Sequence, residues 1–142
     1  MKRNAAAVWK GGLKNGGGEV STESGVLSAA QYAFGTRFEN GTGTNPEELL
    51  AAAHAGCYSM ALSLVLGESD ITPERIDTTA SVNIEPSDDG FTITTVHLDV
   101  YGDVPGINAD DFQKAAEQAK AGCPVSKLFN AEITMTAHLK RS

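Results

Sequence analysis

What most limits the folds open to this chain is an apolar stretch from Leu49 to Leu66, introduced by Thr44-Asn45-Pro46-Glu47-Glu48. The introduction stacks several helix-start signals. Thr44 and Asn45 can cap, Pro46 has the fixed φ and missing N–H that suit a first turn, and Glu47 and Glu48 complement the positive end of the helix dipole. The spacing predicts a helix running to about Leu66. It is apolar on nearly all sides, so sheet, other helices or a partner subunit must enclose it. A membrane span has similar length, but His54, Ser59 and Ser63 interrupt this stretch and its flanks carry acids, not lysines. A central core helix is therefore expected. With Asn45 as cap, Glu48 takes the third helical position, where its carboxylate reaches back to the cap backbone; with Thr44 as cap that task moves to Glu47.

The segments on either side read as strands and shorter helices. Before the helix, Ala6 to Trp9 and Tyr32 to Phe34 are short strands joined by glycine-rich hairpins, with a turn from Leu13 to Gly18. That glycine cluster lacks the Lys-Ser/Thr ending of a phosphate loop. After the helix, Ile76, Thr78, Ala80, Val82 and Ile84 alternate with polar residues as a half-buried strand, and Asp88-Asp89-Gly90 turns into a second strand, Phe91 to Tyr101. The apolar phase slips between Ile93 and Val96, which predicts a bulge or a change of packing partner. Asn108 caps a helix with Phe112, Ala115, Ala116 and Ala119 on one face and Gly122 at its end. Pro124 opens a short helix to about Phe129, and Ile133, Met135, Ala137 and Leu139 mark a final strand. A chain of 142 residues with this order is expected to form a single domain, 1–142.

A net charge of -7 and a pI near 4.8 repel phosphate backbones and make nucleic acid a poor partner. Met1 to Trp9 holds no apolar run of secretory length, so the expected compartment is the cytoplasm, with no membrane partner. Two cysteines in a reducing compartment do not make a permanent structural staple; they are inert core residues, metal ligands or redox centres.

Cys57 lies in the long helix within Ala53-His54-Ala55-Gly56-Cys57-Tyr58. Most buried helical cysteines only pack. Here, however, Gly56 costs about 1 kcal/mol against Ala inside a helix, which makes sense if something approaches the backbone there. A cysteine in the middle of its helix gains nothing from that helix's N-terminus, and apolar surroundings raise its pKa, so reactivity requires an external cation. Of the four arginines, Arg3 and Arg141 lie near the chain ends and Arg75 stands among acids. Arg37, in Thr36-Arg37-Phe38, is expected on the apolar strand leading to the long helix; a surface pair with Glu39 is its alternative. Cys123 precedes Pro124 at a helix start, where the dipole and free N–H groups favour a thiolate and hence a good leaving group. His54, one turn before Cys57, can serve as a base or hydrogen-bond partner. His97 and His138 fall on polar phases and are expected to be solvated.

The segments Ser21-Thr22-Glu23-Ser24-Gly25-Val26-Leu27, Thr36-Arg37-Phe38-Glu39, Gly43 to Leu49, Ala52 to Leu62 and Ala121-Gly122-Cys123-Pro124-Val125-Ser126 together resemble the osmotically inducible protein C and organic hydroperoxide resistance (OsmC/Ohr) family, in its first branch. The resemblance implies an α+β fold, with antiparallel sheets around a long buried central helix, assembled as an interlocked homodimer with two interfacial active sites. It implies a peroxidase that prefers organic hydroperoxides, takes electrons from a dithiol reductant of the lipoyl type, works in stress defence, and needs no metal or organic cofactor. Position by position, Cys57 matches the peroxidatic thiol, Cys123 the resolving thiol, Arg37 the activating cation and Glu47 its carboxylate partner.

Geometry adds a condition. The ten positions from Glu47 to Cys57 span about 15 Å of straight helix, too far for one arginine head to bridge, so Arg37 and Glu47 are expected to reach Cys57 of the other subunit. Two other readings use the same residues. His54, Cys57 and Cys123 could offer three ligands to zinc, with no fourth evident and with Arg37 unexplained. A non-catalytic redox sensor could use the same disulfide to alter a partner surface.

Overall fold

The structure, a computed structural model, describes residues 1–38 and 42–141, without the side chains of Arg37 and Phe38. Two compact units are present, Met1–Leu49 and Leu50–Ser142.

The first unit contains a three-stranded antiparallel sheet in the order β1 (Ala5–Lys10), β2 (Gly17–Thr22), β3 (Ala30–Tyr32). The β1–β2 turn is tighter than expected, closing with Gly16 N–H on the Gly12 carbonyl at 2.7 Å, while Gly17 and Gly18 belong to the ladder. Gly18 lies between Trp9 and Tyr32 across the sheet, and those rings meet at 5.5 Å between centroids. A Cβ on Gly18 would stand 2.5 Å from the Tyr32 ring, so the glycine makes room for that contact.

The strand expected through Phe34 stops at Tyr32, and Phe34–Phe38 forms a short helix, α1. Arg37 therefore sits on a helical turn instead of a strand. Thr36 accounts for the change: its hydroxyl accepts from Ala33 N–H at 2.8 Å, and its own N–H donates to the Ala33 carbonyl at 3.1 Å. Gly43, at φ +101°, then brings Thr44 N–H onto the Gln31 carbonyl at 2.8 Å, a conformation that side chains rarely adopt.

Helix α2 (Pro46–Gly67) starts where the sequence places it. Asn45 is the cap: its Oδ1 accepts from Glu48 N–H at 2.7 Å, while its Nδ2 donates to the Thr36 carbonyl at 2.6 Å. The Glu48 carboxylate accepts from the Thr44 hydroxyl at 2.7 Å, which leaves Glu48 a structural role through a partner one residue earlier than expected.

In the second unit, β4 (Arg75–Ser87) and β5 (Gly90–Asp103) form the expected hairpin. The bulge is present too: Asn83 faces Thr95 and Ile84 faces Ile93, leaving Thr94 as the extra residue. Helix α3 (Ala109–Gly122) is capped by Asn108, whose side chain accepts from Asp111 N–H, and it buries Phe112, Ala115, Ala116 and Ala119. Helix α4 (Pro124–Leu128) and β6 (Glu132–Leu139) complete the chain.

The all-antiparallel expectation fails at one pair, because β6 runs parallel to β5. A parallel neighbour requires a crossover connection, and α3 with α4 supplies it.

Among the described residues, α2 is buried along one side. His54, Tyr58, Leu62 and Leu66 are buried, and the last three join Leu98, Val100, Phe112, Ala115, Ala119 and Cys123 in one core. Met60 and Leu64, by contrast, are 76% and 69% exposed. They continue an open stripe with Ala52, Ala53, Gly56 and Ser63.

Candidate active site

Cys57 is half-buried on α2, and Cys123 is fully buried at the junction of α3 and α4; both are free thiols. Two backbone bonds fix the junction. Cys123 N–H donates to the Ala119 carbonyl at 2.9 Å, ending α3, and Lys127 N–H donates to the Cys123 carbonyl at 3.0 Å, beginning α4. Pro124, with its preset φ and no N–H to satisfy, occupies the first turn.

Cys57 and Val125 both pack against the core cluster that buries Cys123, and Cys123 and the Val125 N–H stand near enough to Cys57 to act on its pKa. Cys57 gains nothing from its own helix N-terminus, but the Val125 N–H in the first turn of α4 acts to lower its pKa. The Cys57 pKa is nevertheless raised. Burial is the largest cause and the neighbouring Cys123 adds to it, while the Val125 N–H pulls the other way. Within this unit Cys57 is a reluctant thiolate.

Two side chains of α2, one turn apart, hold the Cys123 junction from either side. The Tyr58 hydroxyl donates to the Ala116 carbonyl of α3 at 3.0 Å. His54 Nε2 pairs with the Ser126 hydroxyl of α4 at 2.7 Å, and the Phe129 ring stands edge-on to the imidazole at 5.3 Å. Tyr58 keeps its proton because burial, and then the nearby Glu117 and Cys123, push its pKa further up. Burial lowers the pKa of His54, which favours the neutral ring. Its Nδ1 has no partner among the described residues.

The structure thus brings together Cys57, Cys123 and His54 of the expected site. Glu47 is buried, at 6% exposure, in the first turn of α2, ten positions before Cys57. The Arg37 side chain lies outside the described residues. Arg75 pairs with Asp77 at 2.8 Å in an exposed contact, as its acidic setting suggested. His97 and His138 are less solvated than expected. His97 lies between the hydroxyls of Thr134 and Thr136 at 2.6 and 3.2 Å, while His138 pairs with Asp99 at 3.2 Å and stacks on Tyr101.

The space over Gly56 is open within 4 Å among the described residues. Among those residues, too, no three of His, Cys, Asp and Glu are placed to share a metal ion, and His54 turns Nε2 to Ser126.

Tyr58, Val125 and Ser126 fall within the segments that carry the family resemblance, but the sequence gives none of them a role in the site. The one available signal was the position of Ser126, one turn after Cys123 in a helix opened by proline.

Comparison with known proteins places this geometry in context. The family model described as OsmC-like protein matches residues 39–138. Peroxiredoxin OsmC of Escherichia coli (strain K12) is 54% identical over 140 residues, covering 99% of this chain and 98% of that protein. Organic hydroperoxide resistance protein OhrB of Bacillus subtilis (strain 168) is 31% identical over 124 residues, covering 87% and 89%. A crystal structure of OhrB from Bacillus subtilis matches with a TM-score of 0.71 at 27% identity, covering 96% of this chain and 98% of that one.

Proposed function

The chain belongs to the OsmC/Ohr family, and from that premise we propose that it is a thiol-dependent peroxidase reducing organic hydroperoxides to alcohols, with Cys57 as the attacking thiol and Cys123 as the resolving thiol. The observation that carries this reading is that two free thiols share one core, with Cys57 packed against the cluster that buries Cys123. The names of the relatives, a peroxiredoxin and an organic hydroperoxide resistance protein, support it.

The Cys57 thiolate attacks one oxygen of the hydroperoxide. An S–O bond forms, the O–O bond breaks, and the alkoxide leaves to take a proton and become the alcohol. The Cys57 sulfenic acid then condenses with the Cys123 thiol, forming the S–S bond and releasing water. A dithiol reductant, of the lipoyl type, restores both thiols by exchange. The raised pKa of Cys57 favours the protonated thiol, so the first step gains from a nearby cation, for which Arg37 is the candidate. Its planar guanidinium can pair with Glu47 on one edge and present the other to sulfur and peroxide, stabilising the thiolate and the developing alkoxide.

The assembly is a homodimer in which Arg37 and Glu47 act on Cys57 of the other subunit. The open stripe of α2, small and apolar along residues 52–64, is a suitable face for the second copy. The setting is the cytoplasm, where the dithiol state is maintained, and the role is stress defence.

The test is steady-state reduction of cumene hydroperoxide and hydrogen peroxide by the wild type, Cys57→Ser and Cys123→Ser with a dihydrolipoyl donor. Wild type turns over cumene hydroperoxide faster, Cys57→Ser is inactive, and Cys123→Ser accumulates sulfenic acid or a mixed disulfide that a dimedone-type probe or mass spectrometry detects. Retained turnover in Cys57→Ser overturns the reading.

A further inference from the structure

The start of α4 carries the Cys123 thiol at its cap and the Val125 N–H in its first turn, yet α4 is only five residues long. A helix this short does not hold its own place. What ties it to α2 by a side-chain hydrogen bond is the 2.7 Å contact between His54 and Ser126. Both residues are buried, His54 at 0% and Ser126 at 9% exposure, so water cannot readily replace the bond. The contact also sits well for this purpose, because His54 is three residues before Cys57 on α2 and Ser126 three residues after Cys123. The second pin, Tyr58 to the Ala116 carbonyl, holds α3 and leaves the orientation of α4 unset.

We propose that His54 and Ser126 are positioning residues, a buried hydrogen-bonded latch that holds the start of α4 so that Cys123 and the Val125 N–H stay close to Cys57, with Cys123 placed for disulfide formation. This rests on the reading of Cys57 and Cys123 as the reacting pair. Neither latch residue touches the peroxide. Together they set the ease of forming the Cys57 thiolate and the rate at which its sulfenic acid meets Cys123. When the latch is loosened, the sulfenic acid persists, and excess hydroperoxide takes it to the sulfinic acid with transfer of a further oxygen and release of a second alcohol.

Two measurements on the full chain test the latch. The first, in a Cys123→Ser background, is the pH dependence of Cys57 alkylation by monobromobimane, which requires no peroxidase activity. Ser126→Ala is expected to move the midpoint upward by about one pH unit, the scale of losing one donor to a thiolate. The second, with Cys123 present, follows the sulfenic acid after one equivalent of cumene hydroperoxide. Ser126→Ala is expected to slow its conversion to disulfide about tenfold and to raise the sulfinic fraction at excess peroxide.

Because Ser126→Ala leaves His54 without its partner, the double variant His54→Leu/Ser126→Ala removes both polar groups and restores apolar packing. Its thermal stability should recover toward wild type while both readouts stay shifted. If the double variant has a wild-type alkylation midpoint and resolution rate, packing alone positions α4 and the latch is overturned. If wild-type Cys57 alkylates normally but forms no sulfenic acid with peroxide, the peroxidase reading fails, and the alkylation midpoints still decide the role of Ser126.

Discussion

The two faces of α2 are both apolar but live in opposite surroundings. One face buries His54, Tyr58, Leu62 and Leu66, while the other leaves Met60 and Leu64 exposed beside Ala53, Gly56 and Ser63. Hydrophobicity does not tell them apart. Side-chain size and polar tips do. The inward face carries large residues, two of which end in groups that hydrogen-bond to α3 and α4. The outward face carries small residues and flexible Met and Leu, the composition that lets another helix approach closely. An apolar helix therefore has to be read by what its side chains can reach.

The largest effect should come from charging the open face. If the proposed homodimer closes on this face, Met60→Glu with Leu64→Glu is expected to leave a monomer by light scattering and to lower peroxide turnover at least about 100-fold, because like charges would then face each other. An unchanged mass and rate would make that face ordinary surface. On the opposite face, Leu62→Ala should lower stability by about 2–5 kcal/mol in urea denaturation, the usual range for an emptied core leucine. It should leave the oligomeric state alone.

His54 gives the pH-dependent version of the contrast. Burial lowers its pKa from 6.5, so the unfolded chain takes up this proton before the folded one does. Its contribution to stability is then level above pH 6.5 and declines as pH falls below it. Denaturation at pH 7.5, 6.0 and 5.0 should show the decline in wild type and less of it in His54→Leu. The smallest effect belongs to Gly56→Ala. A Cβ there meets nothing within 4 Å among the described residues, so helix propensity alone predicts a gain of about 0.5–1 kcal/mol. A loss in its place, together with weaker association, would show a second copy pressed against that backbone.

The elements that the sequence placed well are those governed by local rules. Asn45 and Pro46 started α2, Asn108 started α3, and the phase slip marked the bulge at Thr94. Helix α1 was missed because Tyr32-Ala33-Phe34 has the composition of a strand, whereas its conformation is decided by the Thr36 hydroxyl folding back on Ala33. The direction of β6 was missed for a different reason: alternation identifies a strand but carries no information about its neighbour. The site divides the same way. Chemistry and resemblance pointed to Cys57 and Cys123, but the latch joins residues 72 positions apart, and no local pattern announces that.

The parallel pairing of β6 with β5 also bears on how the protein is made. The connection from Asp103 to Glu132 carries Cys123, and its far end is held by a strand that pairs with β5 across that whole connection. During synthesis Cys57 emerges long before its partner, and the long-range pairing that places Cys123 is among the slower events of folding. On the proposed chemistry, Cys57 is therefore a solitary thiol on the nascent chain until the fold brings Cys123 beside it.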